Sequence, residues 1–158
     1  MKPITREGSF FSAVAVIGSI IAIAILLACG KAEANEIAIY TIMGEAAGEP
    51  LEAQVAVAEV IRNRAKLRNQ SVEAVCLAPR QFSFWNNRKK AEAWLEKYGT
   101  GEAYQRASRA WCESEESDLT MGADLYFNPM LCKPRWNMDM VLPRRQFGKH
   151  VFMKEVMS

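Results

Sequence analysis

The stretch from Phe10 to Cys29 constrains this chain more than any other feature, because its twenty residues include no charged residue, no Asn, no Gln and no Pro. A helix of about 20 apolar residues is long enough to cross a hydrocarbon core of about 30 Å. Lys2 and Arg6 precede the stretch, so the N-terminus is expected to stay in the cytoplasm while the later residues are exported. The sequence therefore predicts one N-terminal membrane-spanning helix, residues 10–29, followed by an exported domain.

The fate of residues 1–34 has three open alternatives. Residues 32–34 (Ala-Glu-Ala) have the small-x-small pattern of signal-peptide cleavage before residue 35. Residues 26–29 (Leu-Leu-Ala-Cys) resemble a bacterial lipobox, which would leave a lipid on Cys29. A signal anchor without cleavage is favoured, because the apolar run exceeds the roughly 7–15 residues of a signal peptide's central region. We expect the domain on the periplasmic or cell-wall side of the cytoplasmic membrane, initially tethered to it.

Residues 35–158 contain no repeat, low-complexity segment or linker, which predicts a single domain. The net charge of +2 lacks the basic excess of a nucleic-acid-binding protein. The chain has one His and no C-x-x-C pair, so no metal site is predicted. We also expect no other cofactor and a monomeric protein. One disulfide and free thiols are both open for the cysteines, which are Cys29, Cys76, Cys112 and Cys132.

Helical periodicity dominates the first two thirds of the domain. Residues 37–43 predict a short buried helix that stops at Gly44, since glycine adopts conformations that other residues avoid. Leu51 to Arg68 has apolar residues at three- and four-residue spacing, which predicts a long amphipathic helix. Residues 78–87 predict a loop. Ser71 is expected to cap a brief helix that runs through Val75, and further helices are expected at Lys89–Tyr98 and Gly101–Glu116. Three arginines of the long helix are expected on a solvated face, namely Arg62, Arg64 and Arg68.

The end of the chain has a different character. Asp124–Asn128 and His150–Met153 predict short strands. Pro129, Pro134 and Pro143 make the segment between them an irregular loop. The fold class is therefore α+β, a mostly helical domain with a small late β-sheet.

Glu45 is the acid that the pattern singles out. It follows Gly44 at the end of an apolar, helix-like run. A carboxyl group held half out of water favours its protonated form, and a glycosidase needs a protonated carboxyl to protonate a leaving oxygen. Glu49 lies directly before Pro50, so we expect it to cap the long helix instead.

Four blocks resemble the SleB/CwlJ-type cell wall hydrolases, the spore-cortex lytic enzyme family. The first is residues 42–64, which open Ile-Met-Gly-Glu-Ala-Ala-Gly-Glu-Pro. The others follow in the same order: residues 81–85 (Gln-Phe-Ser-Phe-Trp), residues 120–129 (Thr-Met-Gly-Ala-Asp-Leu-Tyr-Phe-Asn-Pro) and residues 148–152 (Gly-Lys-His-Val-Phe). Met121 replaces the family's usual second Gly and Met153 a common aromatic, so we expect departures in the late sheet.

The resemblance implies a lysozyme-like fold and lytic cleavage of the bond between N-acetylmuramic acid and N-acetylglucosamine in peptidoglycan. It implies Glu45 as a single acid and base that closes a 1,6-anhydro ring on the muramoyl product. The alternative is a hydrolytic muramidase that uses the same acid. One catalytic domain behind a membrane segment looks like a phage endolysin or a small periplasmic lysin.

Several further residues are candidates for substrate binding, since aromatic faces suit sugar rings and amides suit hydroxyl groups. We expect Gln81 and Trp85 to line a sugar cleft, with the neighbouring Phe82 and Phe84 in the core. Tyr126 and Asn128 are candidate substrate contacts. His150 is more typical of a structural donor, although it could border the cleft.

Two rival functions remain. A Cys–His amidase or peptidase would pair Cys76 or Cys112 with His150. A wall-binding protein without activity would retain the domain as a scaffold.

Overall fold

One buried helix lies at the centre of the computed structural model, which describes residues 35–134 and 145–155. Residues 35–46 form α1 and Leu51–Arg68 form α2. All nine residues from Ala53 to Ile61 are buried. The prediction of an amphipathic α2 was wrong, because a helix buried on all sides has no solvated face.

The other predicted helices are confirmed, with small shifts at their ends. They are α3 (Val72–Leu77), α4 (Arg88–Tyr98) and α5 (Glu102–Glu113). The Ser71 hydroxyl accepts a hydrogen bond from the Ala74 amide and so caps α3, as expected. Residues 78–87 are not entirely irregular, since Ser83–Asn86 form a 3₁₀ turn.

Three short antiparallel strands form the late sheet. They are β1 (Leu125–Phe127), β2 (Arg145–Phe147) and β3 (His150–Met153), and β3 lies between the other two. The two predicted strands are confirmed, but the prediction of a loop up to residue 149 was wrong, because β2 pairs with β3. Gly148 has a φ of 56° in the turn between them, a conformation that favours glycine.

A buried carboxylate on α2 fixes the segment that leads into this sheet. Glu59 is only 3% exposed. Its two oxygens accept hydrogen bonds from the Ser117 hydroxyl at 2.5 Å, the Leu119 amide at 2.9 Å, and the amide and hydroxyl of Thr120 at 2.8 and 2.6 Å. A buried charge is stable only when it is well hydrogen-bonded, so this network ties the loop before β1 to the central helix.

The arginines of α2 contradict the expected solvated face. Arg64 is only 5% exposed and donates to the Asp124 carbonyl at 2.7 Å. The Arg62 guanidinium lies 3.8 Å from the centroid of the Trp111 ring. Only Arg68 is exposed among the three. The prediction failed because periodicity does not reveal that a long polar side chain reaches across to a neighbouring loop.

Within the described residues, none of the helices has the length and apolar character that a membrane span requires. The predicted membrane segment, the cleavage site and Cys29 lie outside those residues. Pro143 and the chain around it, residues 135–144, lie outside them as well.

We predict that Glu59→Gln lowers the free energy of unfolding by about 2–3 kcal/mol, because an amide cannot accept all four hydrogen bonds and leaves buried donors unpaired. Denaturant unfolding followed by circular dichroism measures the change. Glu96→Gln on the exposed side of α4 is the matched control and should unfold like the wild type. Equal unfolding midpoints for the two variants would contradict the role given to Glu59.

Candidate active site

Glu45 lies in the last turn of α1, and hydrogen bonds hold both of its carboxylate oxygens. Oε1 accepts from the Phe84 amide at 2.8 Å and from the Ser83 hydroxyl at 3.0 Å. Oε2 accepts from the Tyr126 hydroxyl at 2.9 Å. The donors come from the 3₁₀ turn and from β1, so two separate parts of the chain fix one carboxyl group of α1.

Gly44 explains how the 3₁₀ turn comes so close to α1. The helix continues through Gly44 to residue 46, so the prediction that it stops there was wrong. A Cβ atom at this position would overlap three carbons of the Phe84 ring. Phe84 also packs edge-on against Trp85 and Trp94, with centroid distances of 4.8 and 5.5 Å. The glycine is therefore needed for close approach rather than for a turn.

Glu45 lies on a cleft of about 520 Å³ between the 3₁₀ turn and the sheet. Four of the predicted substrate-binding residues line this cleft with it, namely Gln81, Tyr126, Asn128 and His150. Sequence reasoning did not identify the arginines beside them, which are Arg64, Arg68 and Arg80. Arg64 and Arg68 are on α2 and Arg80 is in the loop after α3, and these positions do not indicate that the three lie together.

Trp85 does not line this cleft but borders a separate one of about 400 Å³, so its contact with sugar stays a prediction. It is 9% exposed, and its indole N–H donates to the Thr41 hydroxyl at 2.8 Å. Phe82 is buried as expected, whereas Phe84 is only half-buried. Sequence alone could not separate these aromatic residues, since the 3₁₀ turn sets which ring faces inward.

A second cleft, of about 390 Å³, lies on the other side of Glu45. Phe84 and Trp94 supply its aromatic surface, and Lys90 supplies a cation. Sequence reasoning missed Lys90 and Trp94 because both belong to α4, which showed only a helical pattern. Glu45 therefore lines both clefts.

Tyr126 and His150 form the floor beside the acid. Their rings pack edge-on at a centroid distance of 5.4 Å. Burial, together with the Glu45 carboxylate, raises the pKa of Tyr126 well above its ordinary value, so this residue remains a hydroxyl donor. Burial lowers the pKa of His150, although Glu49 and Glu45 oppose this effect, so the imidazole is neutral near pH 7.

Arg64 joins the two walls of the larger cleft. Besides the Asp124 carbonyl before β1, it donates to the Gln81 carbonyl at 3.3 Å. Burial lowers the pKa of Arg64, yet a guanidinium keeps its charge in proteins. Arg64 therefore makes its hydrogen bonds within the protein, and its positive charge lies at the cleft.

Glu49 does not cap α2, so that prediction was wrong. Pro50 occupies the N-cap position without a side-chain hydrogen bond. The Glu49 carboxylate instead accepts from the Lys149 amide at 3.0 Å and lies 3.6 Å from the Lys149 ammonium. Glu49 thus holds the turn between β2 and β3 against the start of α2.

The sequence profile of the Cell Wall Hydrolase family matches residues 48–153. The chain belongs to the cell wall hydrolase family. This confirms the resemblance inferred from the four sequence blocks, although the matched region begins after Glu45. Among the described residues, no group of three or more His, Cys, Asp or Glu side chains is placed to hold a metal ion.

Known relatives of this cell wall hydrolase include spore enzymes. A spore cortex-lytic enzyme of Oceanobacillus iheyensis is 37% identical over 117 residues, which are 72% of this chain and 38% of that protein. The chain thus spans well under half the length of this curated relative.

Two solved structures resemble the fold. They are the catalytic domain of the germination-specific lytic transglycosylase SleB from Bacillus anthracis (31% identity, TM-score 0.60) and that of the Bacillus cereus SleB protein (32%, 0.59). Each covers 77% of this chain, and the chain covers 93% and 89% of them. The mostly helical fold with a small sheet is confirmed, while its lysozyme-like character remains a prediction.

The cysteines of this cell wall hydrolase do not form the Cys–His pair of the rival hypothesis. Cys76 is fully buried, and burial raises its pKa to about 12, which suppresses the reactive thiolate. Cys112 is exposed on α5 and lines neither cleft beside Glu45. Cys76, Cys112 and Cys132 are free thiols, and Cys29 lies outside the described residues.

We predict that Gly44→Ala lowers activity on peptidoglycan at least tenfold, because Phe84 must move and its amide then leaves Glu45. A gain in helix propensity of about 1 kcal/mol does not offset the overlap, which costs about 1–3 kcal/mol. Glu52→Ala, an exposed change in the first turn of α2 that lines neither cleft, is the control. Equal activity of the two variants would contradict the steric role of Gly44.

Proposed function

We propose that this domain is a peptidoglycan lytic transglycosylase that cleaves the bond between N-acetylmuramic acid and N-acetylglucosamine, with Glu45 as its single general acid and base. The observation that carries the proposal is that Glu45 lines both clefts. Among the described residues that line either cleft, Glu45 is the one with a carboxyl group. A glycan strand laid through both clefts would place its scissile oxygen beside that group.

The relatives support this substrate class. One is described as a spore cortex-lytic enzyme, and another as the catalytic domain of a germination-specific lytic transglycosylase. We assign the lytic activity of these relatives to this chain, because it has an acid, Glu45, that lines two clefts.

The hydrogen bonds around Glu45 suggest where the catalytic proton resides. A backbone N–H can only donate, so the Phe84 amide requires Oε1 to remain an acceptor. Oε2 contacts a hydroxyl, which can accept as well as donate. In the proposed first step Oε2 carries the proton and delivers it to the glycosidic oxygen, and the Tyr126 hydroxyl then donates to the carboxylate that remains.

The second step reuses the same carboxylate. It takes the proton from the muramoyl C6 hydroxyl, whose oxygen attacks C1 and closes the 1,6-anhydro ring. A second carboxylate, which most glycosidases need, is not required. Glu49 is held by Lys149 and does not serve as that partner. Hydrolysis by water with the same acid is the alternative reaction.

Two amides of the larger cleft are proposed to bind sugar substituents. Gln81 uses its side-chain oxygen to accept from Arg68 at 2.8 Å, which leaves its NH₂ group as a donor. Asn128 likewise uses its oxygen to accept from the Met130 amide at 2.9 Å. Both NH₂ groups suit the oxygens of hydroxyl or N-acetyl groups. Tyr126 and His150 would form the apolar floor under the ring.

The proposal extends to location and role. Residues 10–29 would deliver the domain across the cytoplasmic membrane or hold it there, where it would act in cell wall lysis in the manner of an endolysin. Intact mass of the membrane-associated protein distinguishes an uncleaved anchor, cleavage before residue 35 and lipidation at Cys29. Recovery of the unprocessed chain in the cytosol alone would contradict export.

We expect Glu45→Gln to reduce the release of peptidoglycan fragments by a factor of about 100 to 10,000, the usual contribution of a general acid. Mass analysis of the wild-type fragments should find 1,6-anhydromuramoyl ends. Glu52→Gln, an exposed change on the first turn of α2, is the control and should digest like the wild type.

The same assay separates the rivals. Reducing ends would indicate a muramidase, and an absence of fragments would indicate a wall-binding scaffold. Activity that survives in Glu45→Gln but is lost in Cys76→Ser or Cys112→Ser would refute the glycosidase proposal.

A further inference from the structure

Three arginines line the larger cleft. This set, the basic wall, consists of Arg64, Arg68 and Arg80, all of which line the cleft with Glu45. Arg68 ends α2, and Arg80 lies in the loop after α3. Arg64 is buried behind them, while Arg68 and Arg80 are exposed to the cleft.

The exposed members of the basic wall keep free hydrogen-bond donors. Arg64 uses its guanidinium on the carbonyls of Gln81 and Asp124. Arg68 donates one bond, to the Gln81 side chain. Within the described part of the chain, Arg80 forms no ion pair with an acid. Arg68 and Arg80, whose guanidinium groups each have five N–H donors, therefore line the same cleft as Glu45. Arg80 also borders a separate cleft of about 400 Å³.

The backbone at Arg80 is an independent observation. Its φ is 62°, in the left-handed region that side chains other than Gly and Asn rarely adopt. Gln81 donates to the Ala78 carbonyl at 3.2 Å and closes the turn in which Arg80 is held. Residues kept in such conformations cluster at ligand sites. A glycine would relieve the strain here, but it would remove the cation from the cleft.

The charge of this cleft suits an anionic group. Among its described lining residues, Glu45 alone has a carboxyl, and three donors already hold that carboxyl. Positive charge in a concave site concentrates anions there. The sugar rings of peptidoglycan and their N-acetyl groups are neutral. Its carboxylates belong to the peptide stem of muramic acid, or to the lactyl group where the stem has been removed.

We propose that Arg68 and Arg80 bind a carboxylate of the muramic acid substituent, so that the domain selects glycan by its acidic side groups. This inference rests on the proposed function, because it uses the same cleft and substrate. Arginine binds carboxylates through paired, charge-assisted hydrogen bonds. The contact lies away from the scissile bond and forms in the ground state and the transition state alike, so it acts on KM rather than on kcat.

The test compares three glycans prepared from one batch of peptidoglycan. The first is native and bears stem carboxylates. The second is treated with an amidase and bears only lactyl carboxylates. The third is native glycan whose carboxyl groups have been converted to neutral methylamides. Wild type, the double variant Arg68→Gln/Arg80→Gln and the control Arg109→Gln are assayed on each, since Arg109 is an exposed arginine of α5 that lines neither cleft.

On carboxylate-bearing glycan we expect the double variant to lose about tenfold in kcat/KM through KM, and its binding to depend less on salt. On the methylamide glycan the ratio of wild type to double variant should be close to one. A difference seen with native glycan alone assigns the stem carboxylates, and one kept after amidase treatment assigns the lactyl carboxylate. Arg109→Gln should match the wild type throughout.

An equal loss on all three glycans, or no loss on any, would overturn the carboxylate assignment. Sedimentation with the glycans measures binding by Glu45→Gln, alone and combined with the double variant. If Glu45→Gln binds carboxylate-bearing glycan, and the same protein with Arg68→Gln/Arg80→Gln does not, the inference is supported even when no fragments are released. Cleavage with anhydro ends but without carboxylate preference would refute this inference alone, whereas a failure to cleave would refute the proposed function.

Discussion

The fold depends on a single buried carboxylate. Glu59 lies within the otherwise apolar middle of α2 and accepts four hydrogen bonds from the segment that precedes β1. Without those donors its charge would be too costly to bury, and without the carboxylate the loop would lose four of the hydrogen bonds that attach it to α2. Asn63, one turn later, extends the attachment by donating to the Ala123 carbonyl at 2.8 Å. These hydrogen bonds therefore set the position of the sheet, including Tyr126, relative to α2.

The candidate site is assembled at the point where that attached sheet meets α1. Tyr126 arrives from the sheet, Phe84 arrives from the 3₁₀ turn, and both donate to Glu45. Arg64 fixes the distance between the two contributing parts, because it binds a carbonyl on each side. A rigid, preorganised environment of this kind is what acid catalysis requires. The site therefore has its geometry before any glycan binds.

Local patterns predicted the elements well but not their environment. Apolar spacing located α2, and the composition of short segments located α4, β1 and β3. β2 was missed because its three residues follow a proline-rich segment and gain their structure only by pairing with β3. Glu45 was selected as a candidate from its motif, and its catalytic role stays a proposal. The burial of Trp85, the role of Glu49 and the convergence of the arginines depend on contacts between residues distant in sequence. Such contacts leave no periodic signal in a single chain.

The close packing of Gly44 against Phe84 limits how this site can diverge. The two positions are 40 residues apart in sequence, but the ring of one fills the volume that a side chain on the other would occupy. A mutation that introduces a side chain at position 44 is tolerated only after the ring at position 84 has become smaller. Because the amide of residue 84 also donates to Glu45, we expect substitutions at positions 44 and 84 to occur together.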